Sequence, residues 1–241
     1  MAICDKHGEF EQITNYMLGK EYKSMCPTCE AELLEAERQE EETAAADKLA
    51  AILEGFGIPE RFRYCSLDNY RTDTDGQEKA YSSVMKYVTY FDSGNVSNPL
   101  FLCGKYGTGK THLAIGIIKR LLEKKHIRTA YYSTTMRMIR DIRGSYHHTS
   151  KQTEQNIIDK YINYDILIID EVGLQVGTDN EKLLIYEVLN GRYENMKPSI
   201  LISNLPYKAL TDYLGERVID RLKGKGGILA VFDWESERGK I

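Results

Sequence analysis

A glycine-rich loop at residues 104–111 has the residue types and the spacing of a phosphate-binding site. It reads Gly-Lys-Tyr-Gly-Thr-Gly-Lys-Thr, a complete G-x-x-x-x-G-K-[ST] pattern between an apolar run and a helical pattern. Backbone N–H groups of such a loop, at the N-terminus of a helix, close around phosphate oxygens. Phe62, Tyr64 and Tyr70 could flank the adenine base. The loop predicts an ATP site, with contacts expected from Gly104, Lys105, Tyr106, Gly107, Thr108, Gly109, Lys110, Thr111 and His112, and with Asp170 as a further cofactor-binding residue.

An apolar run that ends in two acids follows at residues 164–171. An uninterrupted apolar run is typical of a strand in a parallel sheet that is covered on both faces. Lys110 is expected to reach the β- and γ-phosphates, and Thr111 and Asp170 to hold Mg²⁺. Glu171 is placed to orient and deprotonate the attacking water. The predicted chemistry is ATP hydrolysis assisted by a magnesium ion.

Three more polar residues could complete such a site. Asn204 follows a third apolar run, where its amide could touch the γ-phosphate or the attacking water, or could simply form a turn before a proline. Arg217 and Arg221 are four residues apart and share one helical face. One of them could reach the γ-phosphate of a neighbouring subunit as an arginine finger. They could equally pair with acids of their own helix, such as Asp220.

The first 29 residues contain a separate set of possible metal ligands. Cys4 and His7 form a C-x2-H pair, and eighteen residues later Cys26 and Cys29 form a C-x2-C pair. Two short-spaced pairs of soft ligands can close a tetrahedral zinc site, and metal binding would supply the folding energy of so small a segment. The alternatives are free thiols or a disulfide, which a reducing cytosol disfavours. A closed four-ligand site would be structural rather than catalytic.

A basic stripe lies between the second and third predicted strands. Arg137, Arg140 and Arg143 recur at helical spacing, and Tyr146 and the histidines at 147–148 follow. Cations followed by an aromatic residue suit phosphate contact combined with base stacking, so these residues are DNA-binding candidates. The alternative is a solvated helix and loop.

The elements that must position these residues follow an alternating pattern. Apolar runs of strand length alternate with helical patterns, which predicts a parallel α/β sheet with nucleotide at the carboxyl ends of the strands. Three domains are expected: a metal module at 1–29, a charged helical linker at 30–54 and an ATPase core at 55–241. Strands are expected near 100–103, 128–133, 165–170, 199–203 and 228–232.

Composition indicates an ordinary cytoplasmic protein with no membrane partner. The chain has 241 residues, of which 42% are hydrophobic and 28% charged, and its start does not resemble a signal peptide. Residues 1–55 contain 13 acidic and 5 basic residues, whereas the remainder has a basic excess. An acidic appendage on a mildly basic core is compatible with a protein partner on one part and nucleic acid on the other.

Five motifs in order resemble one family, the DnaC-type helicase loaders, which are AAA+ ATPases related to DnaI and to IstB transposition helpers. The resemblance covers about residues 55–241. It implies a P-loop AAA+ core with a five-stranded parallel sheet and a minimal or absent helical lid. The motifs are the glycine loop, ILIIDE at 166–171, SNLP at 203–206, LGERVIDRL at 214–222 and FDWESERGK at 232–240.

The resemblance also implies a function and several residue roles. It implies a replication protein of a bacterium, chromosomal or phage-encoded, that forms an ATP-dependent oligomer, binds single-stranded DNA and deposits a DnaB-type replicative helicase on it. Arg221 matches the arginine finger, Arg217 its neighbour and Arg238 the sensor-2 arginine. Residues 137–146 match an inserted helical element that touches DNA, and residues 1–54 the helicase-binding part. An IstB-like transposition helper that recruits a transposase and a non-hydrolysing nucleotide-bound adaptor remain open as alternatives.

Overall fold

The chain forms two units in a computed structural model that describes residues 1–17, 20–94, 99–146, 152–174, 178–223 and 226–239. The first unit is Met1–Ile52 and the second is Leu53–Ile241. None of the helices in these described ranges combines the length and the hydropathy that a membrane span requires.

The first unit is built from two small hairpins and most of one long helix. Among its described residues only Cys26 is buried, so apolar burial contributes little to the stability of this unit. The helix begins at Pro27, a residue well suited to a first helical position, and so starts earlier than the predicted linker. The elements are β1 (Ala2–Cys4) paired with β2 (Gly8–Phe10), β3 (Thr14–Met17) paired with β4 (Lys20–Lys23), and α1 (Pro27–Gly55).

The second unit contains a sheet of five parallel strands, which confirms the predicted fold class. The strand order is β6-β7-β8-β5-β9. After β9 the described residues, up to Gly239, form no further helix. The strands are β5 (Leu100–Gly104), β6 (Ala130–Thr134), β7 (Ile166–Asp170), β8 (Ser199–Ser203) and β9 (Ile228–Phe232). The helices are α2 (Asp75–Asp92), α3 (Lys110–Glu123), α4 (Thr135–Gly144), α5 (Glu154–Asn163), α6 (Asp179–Glu194), α7 (Tyr207–Leu214) and α8 (Glu216–Lys223), with a short 3-10 turn at Glu60–Phe62.

Burial along the strands follows their place in the sheet. All residues of β7 and β8 are buried, whereas the edge strand β9 alternates buried and exposed positions. Central strands are covered by helices on both faces, which is why their sequences are continuous apolar runs. The parallel register places Leu167 beside Tyr131 of β6, and Ile168 beside Ile200 of β8. The carboxyl ends of these strands therefore meet at one edge of the sheet.

Threonines begin four of the helices in this unit. The hydroxyl groups of Thr74, Thr134, Thr153 and Thr178 each accept a hydrogen bond from a backbone N–H in the first turn. Such caps satisfy donors that the helix itself leaves unpaired. They fix where α2, α4, α5 and α6 start, and the cap of α4 is the last residue of β6.

A buried arginine joins α6 to the elements on either side of it. Arg192 is fully buried, and its Nη1 donates to the carbonyl oxygens of Tyr161, Ile162 and Tyr164, each at 2.9 Å. Its Nε donates to the Ser199 hydroxyl at 2.9 Å, and its Nη2 to the carbonyl oxygen before Ser199. Burial lowers the pKa of the guanidinium, but every acceptor it meets favours the charged form. Arg192 thus ties the end of α5 to the start of β8.

We expect Arg192→Met to lower the free energy of unfolding by about 3 kcal/mol, because buried carbonyl groups lose their donors. At roughly 2–4 °C per kcal/mol for a chain of this size, the Tm would decrease by about 10 °C. Thermal unfolding followed by circular dichroism measures this decrease in Tm. The matched control is Arg120→Met, which removes the surface ion pairs with Asp68 and Glu123 and should cost less than about 1 kcal/mol. Equal losses in the two variants would contradict the structural role of Arg192.

Candidate nucleotide and metal sites

The glycine loop between β5 and α3 has the backbone geometry of an anion site. Gly107 and Gly109 have φ of 71° and 92°, in the left-handed region that favours glycine, and Gly109 caps α3. A Cβ at Gly109 would lie 2.6 Å from a ring carbon of Tyr70. The loop therefore needs glycine for its conformation and for its close approach to Tyr70. Residues of the loop and of the N-terminus of α3 line one cavity, as expected of an anion site at a helix N-terminus.

Lys110 lies in the floor of this cavity. It is 5% exposed, and its Nζ donates to the carbonyl oxygens of Gly104 at 2.8 Å and Lys105 at 2.5 Å. Burial lowers the pKa of the ammonium group to about 8. A nearby phosphate would favour the charged form. The Lys105 side chain points elsewhere, to Glu235 Oε1 at 2.6 Å.

Two hydroxyl groups converge on the carboxylate of Asp170. Thr111 Oγ1 and the Tyr132 phenol each donate to Asp170 Oδ2 at 2.9 Å. Burial, together with the neighbouring carboxylate, raises the pKa of Tyr132. Thr111 and Asp170 present hard oxygen atoms side by side, the ligand type that Mg²⁺ prefers. Tyr132 was not among the predicted site residues. It is adjacent to Tyr131, and the sequence does not show which of the two side chains faces the carboxylate.

Glu171 sits in a strained turn directly after β7. Its φ is 61°, rare for a residue with a side chain, and its N–H donates to Asp170 Oδ1 at 2.7 Å. Neighbouring elements hold the turn: Thr135 Oγ1 donates to the Asp170 carbonyl oxygen at 3.1 Å, and the Val172 N–H to that of Ile202 at 2.9 Å. Backbone strain of this kind concentrates at functional sites. The exposed Glu171 carboxylate lines the same cavity as Lys110.

The cavity that these residues line has a volume of about 600 Å³. Of the aromatic residues predicted to flank adenine, Phe62 and Tyr70 line it, whereas Tyr64 is 82% exposed and does not. His112 lines it too, but its Nε2 is hydrogen-bonded to Ser66 O and Asn69 Oδ1, so it anchors the preceding segment. Predicted site residues gathered here are Tyr106, Gly107, Thr108, Gly109, Lys110, Thr111, His112, Asp170, Glu171, Asn204 and Arg238.

The segment after β9 brings Arg238 to this cavity. The Glu237 N–H donates to Gly107 O at 2.9 Å, and the Glu237 carboxylate accepts hydrogen bonds from Arg71 at 2.5 Å and Gln77 at 3.3 Å. A Cβ at Gly107 would lie 2.1 Å from Ser236 Oγ, so the segment packs directly on the glycine loop. Arg71 and Gln77 carry no motif, and their contacts with residues 160 or more positions away have no signal in the sequence.

Arg217 and Arg221 do not line the cavity of their own chain. Both are exposed on α8, and Arg221 Nη1 donates to the Tyr186 hydroxyl at 3.2 Å and to Asn190 Oδ1. In the described part of the chain no salt bridge joins either arginine to Glu216 or Asp220. The intrahelical pairing considered from the sequence is therefore absent there.

The basic stripe of α4 divides into two parts. Arg137 and Arg140 are exposed, whereas Arg143 makes a 3.0 Å ion pair with Glu181 of α6. Tyr146 is 54% exposed, and a hydrogen bond with Glu154 raises its pKa. The histidines at 147–148 lie outside the described residues.

The first unit brings the four predicted metal ligands together. One donor atom each from Cys4, His7, Cys26 and Cys29 lie within 4.8 Å of one another, and all the cysteines are free thiols. His7 turns its Nδ1 toward the sulfur of Cys29 at 3.3 Å, while its Nε2 lies 3.1 Å from Glu32 Oε1. A carboxylate behind the imidazole is the usual support of a metal-bound histidine. Four soft donors at this spacing are compatible with a tetrahedral zinc ion.

Comparisons with known proteins identify the family of the chain. A family model described as IstB-like ATP binding protein matches residues 60–238. The chain is 34% identical to the replicative helicase loader DnaC of Buchnera aphidicola subsp. Acyrthosiphon pisum (strain APS), over 80% of this chain and 77% of that protein.

Two solved structures share the fold. A crystal structure of the DnaC helicase loader has a TM-score of 0.63 and 25% identity, covering 72% of this chain and 99% of that one. The replication initiator DnaA bound to AMPPCP and single-stranded DNA has a TM-score of 0.57 and 25% identity, covering 71% of this chain and 50% of that one. The chain described here therefore belongs to the family of IstB-like ATP-binding proteins, which it shares with the DnaC helicase loaders.

Proposed function

We propose that this chain is a cytoplasmic ATPase that loads a DnaB-type replicative helicase onto single-stranded DNA. The observation that carries the proposal is the convergence of Lys110, Thr111, Asp170 and Glu171 on one cavity, in a chain related to DnaC loaders. These residue types together form a hydrolytic site rather than only a binding site. A non-hydrolysing adaptor would have no use for the acid at Glu171 or for its strained turn.

The residues of the cavity have distinct roles in hydrolysis. Lys110 and the loop N–H groups would bind the β- and γ-phosphates, and Thr111 and Asp170 would hold Mg²⁺. When bound, that ion neutralises charge on the phosphates. The Glu171 carboxylate would orient the attacking water and accept its proton. Asn204 and Arg238 line the same cavity and would contact the phosphates.

An arginine from a second subunit would complete the site. Arg221 is exposed and does not line the nucleotide cavity of its own chain. An arginine that acts on the nucleotide of a neighbouring subunit must be exposed in this way. Arg217 is exposed four residues before it on the same helix. An arginine supplied in trans stabilises transition-state charge only in the assembled oligomer. Hydrolysis would therefore depend on ATP-dependent self-association, and the isolated chain would be a slow ATPase.

The remaining surfaces are assigned to DNA and to the helicase. Arg137 and Arg140 on α4 are exposed cations suited to phosphates, and the related DnaA structure holds single-stranded DNA. Residues 1–54, the metal module with its acidic helix, would bind the helicase. The relative named as a replicative helicase loader favours this assignment over a transposition helper.

Glu171→Gln should bind ATP as the unchanged protein does but hydrolyse it at least about 100-fold more slowly, because the amide cannot accept a proton. Binding is measured with a fluorescent ATP analogue, and turnover by phosphate release in the presence of DNA and helicase. Glu123→Gln, at the last position of α3, is the control for loss of one negative charge. Unchanged turnover in Glu171→Gln would remove Glu171 from the role of base.

Metal removal should unfold the first unit and leave the second intact. We expect one zinc ion per chain by elemental mass spectrometry, lost in Cys26→Ser, with residues 1–52 becoming sensitive to protease. Cys65→Ser, outside the cluster, is the matched control and should keep its zinc. Full protease resistance of a metal-free Cys26→Ser protein would show that the first unit folds without metal.

The chain should form a stable complex with the DnaB-type helicase of its host in the presence of ATP. Size-exclusion chromatography with light scattering measures the mass of the complex. Deletion of residues 1–52 should abolish co-elution but preserve ATP binding, because the nucleotide cavity lies wholly in the second unit. Co-elution with a transposase instead of a helicase would establish the transposition-helper alternative.

A further inference from the structure

A second cavity lies between α4 and α5, on the face of β6 opposite to the one that meets the nucleotide cavity. Its volume is about 270 Å³, just below the range of roughly 300–1,000 Å³ typical of ligand pockets. It shares no lining residue with the nucleotide cavity, and none of the motifs accounts for it. A space of this size suits one planar group rather than a whole nucleoside triphosphate.

Three tyrosines make one wall of this cavity rigid. The rings of Tyr131 and Tyr164 stack with their centroids 5.0 Å apart and an interplanar angle of 7°. Tyr161 meets Tyr131 edge-on at 5.7 Å, and its hydroxyl donates to Asp141 Oδ2 at 2.7 Å. These ring contacts form an aromatic wall whose conformation is set before any ligand arrives.

Two cations from different helices converge on the same wall. The guanidinium carbon of Arg137 lies 5.5 Å and the Lys160 ammonium 5.9 Å from the ring centre of Tyr131. Neither cation has an ion pair in the described part of the chain. Asp141 is the one carboxylate among the described residues that line the cavity, and it accepts a hydrogen bond from the Tyr161 hydroxyl. Like charges directed at one ring repel each other, so an anion beside the ring would be favoured.

We propose that this cavity takes one base of single-stranded DNA, stacked on the tyrosine wall, with the flanking phosphates bound by Arg137 and Lys160. A planar ring joined to anionic groups is the chemistry that combines with an aromatic surface and two cations. The inference rests on the DNA binding included in the proposed function, and it extends that function to Tyr131, Lys160 and Tyr164. Stacking without base-edge hydrogen bonds makes the site tolerant of sequence.

The test is fluorescence anisotropy of a labelled oligothymidylate with the full-length protein, titrated at several salt concentrations. Tyr164→Leu should weaken binding about tenfold, because one stacked base is lost while the wall stays apolar. Lys160→Ala should reduce the slope of log binding constant against log salt concentration by about 0.7, the value for one phosphate contact on a single strand.

Lys86→Ala and Tyr90→Leu are the controls, since both residues lie on α2, which packs on the opposite edge strand β9. The controls should bind as the unchanged protein does, and all four variants should keep its Tm and ATP affinity.

Two results would overturn the cavity assignment and leave the proposed function standing. One is wild-type DNA binding in both Tyr164→Leu and Lys160→Ala, with unchanged salt slopes. The other is binding of thymidine monophosphate at this cavity as tightly as the oligonucleotide, which would assign it to a free nucleotide. If the unchanged protein does not bind the oligonucleotide, with or without ATP and helicase, the DNA part of the proposed function itself fails.

Discussion

The carboxylate of Asp170 is the group on which the candidate ATPase site depends. It is 8% exposed at the carboxyl end of β7, where an unpaired charge would be costly. Three donors satisfy it: the hydroxyl groups of Thr111 and Tyr132, and the N–H of Glu171. They come from the start of α3, from β6 and from the turn after β7. One buried charge thereby holds the glycine loop, the edge strand β6 and the turn at Glu171 in a common arrangement.

That arrangement requires departures from regular backbone on both sides of the cavity. Glu171 adopts a left-handed conformation that directs its carboxylate into the cavity, and hydrogen bonds from the adjoining α4 and β8 offset the strain. On the other side, the Glu237 N–H holds the segment after β9 against Gly107, while the Glu237 carboxylate accepts a hydrogen bond from Arg71. Strands β8 and β5 separate β7 from β9 in the sheet, so the two segments that line the cavity come from strands that are not neighbours.

The two units of the chain owe their stability to different interactions. The second has a sheet buried between helices, and the buried Arg192 joins its elements by hydrogen bonds to backbone carbonyl oxygens. The first has almost no core, and its four clustered donors make a metal ion the natural source of its folding energy. If residues 1–54 bind the helicase, partner recognition would depend on metal, whereas ATP chemistry would not.

The sequence by itself determined the features that depend on neighbouring residues. The glycine loop, the apolar strands and the paired Cys and His residues are local patterns, since each follows from backbone conformation, burial or ligand geometry over a few positions. Only the tertiary structure decided the features that join distant residues. Adjacent tyrosines on β6 point to opposite faces, so Tyr132 meets Asp170 while Tyr131 meets Arg137 and Lys160. Equally spaced arginines of α4 differ because only Arg143 reaches Glu181. Such contacts depend on which elements pack together, and residue spacing along the chain does not contain that information.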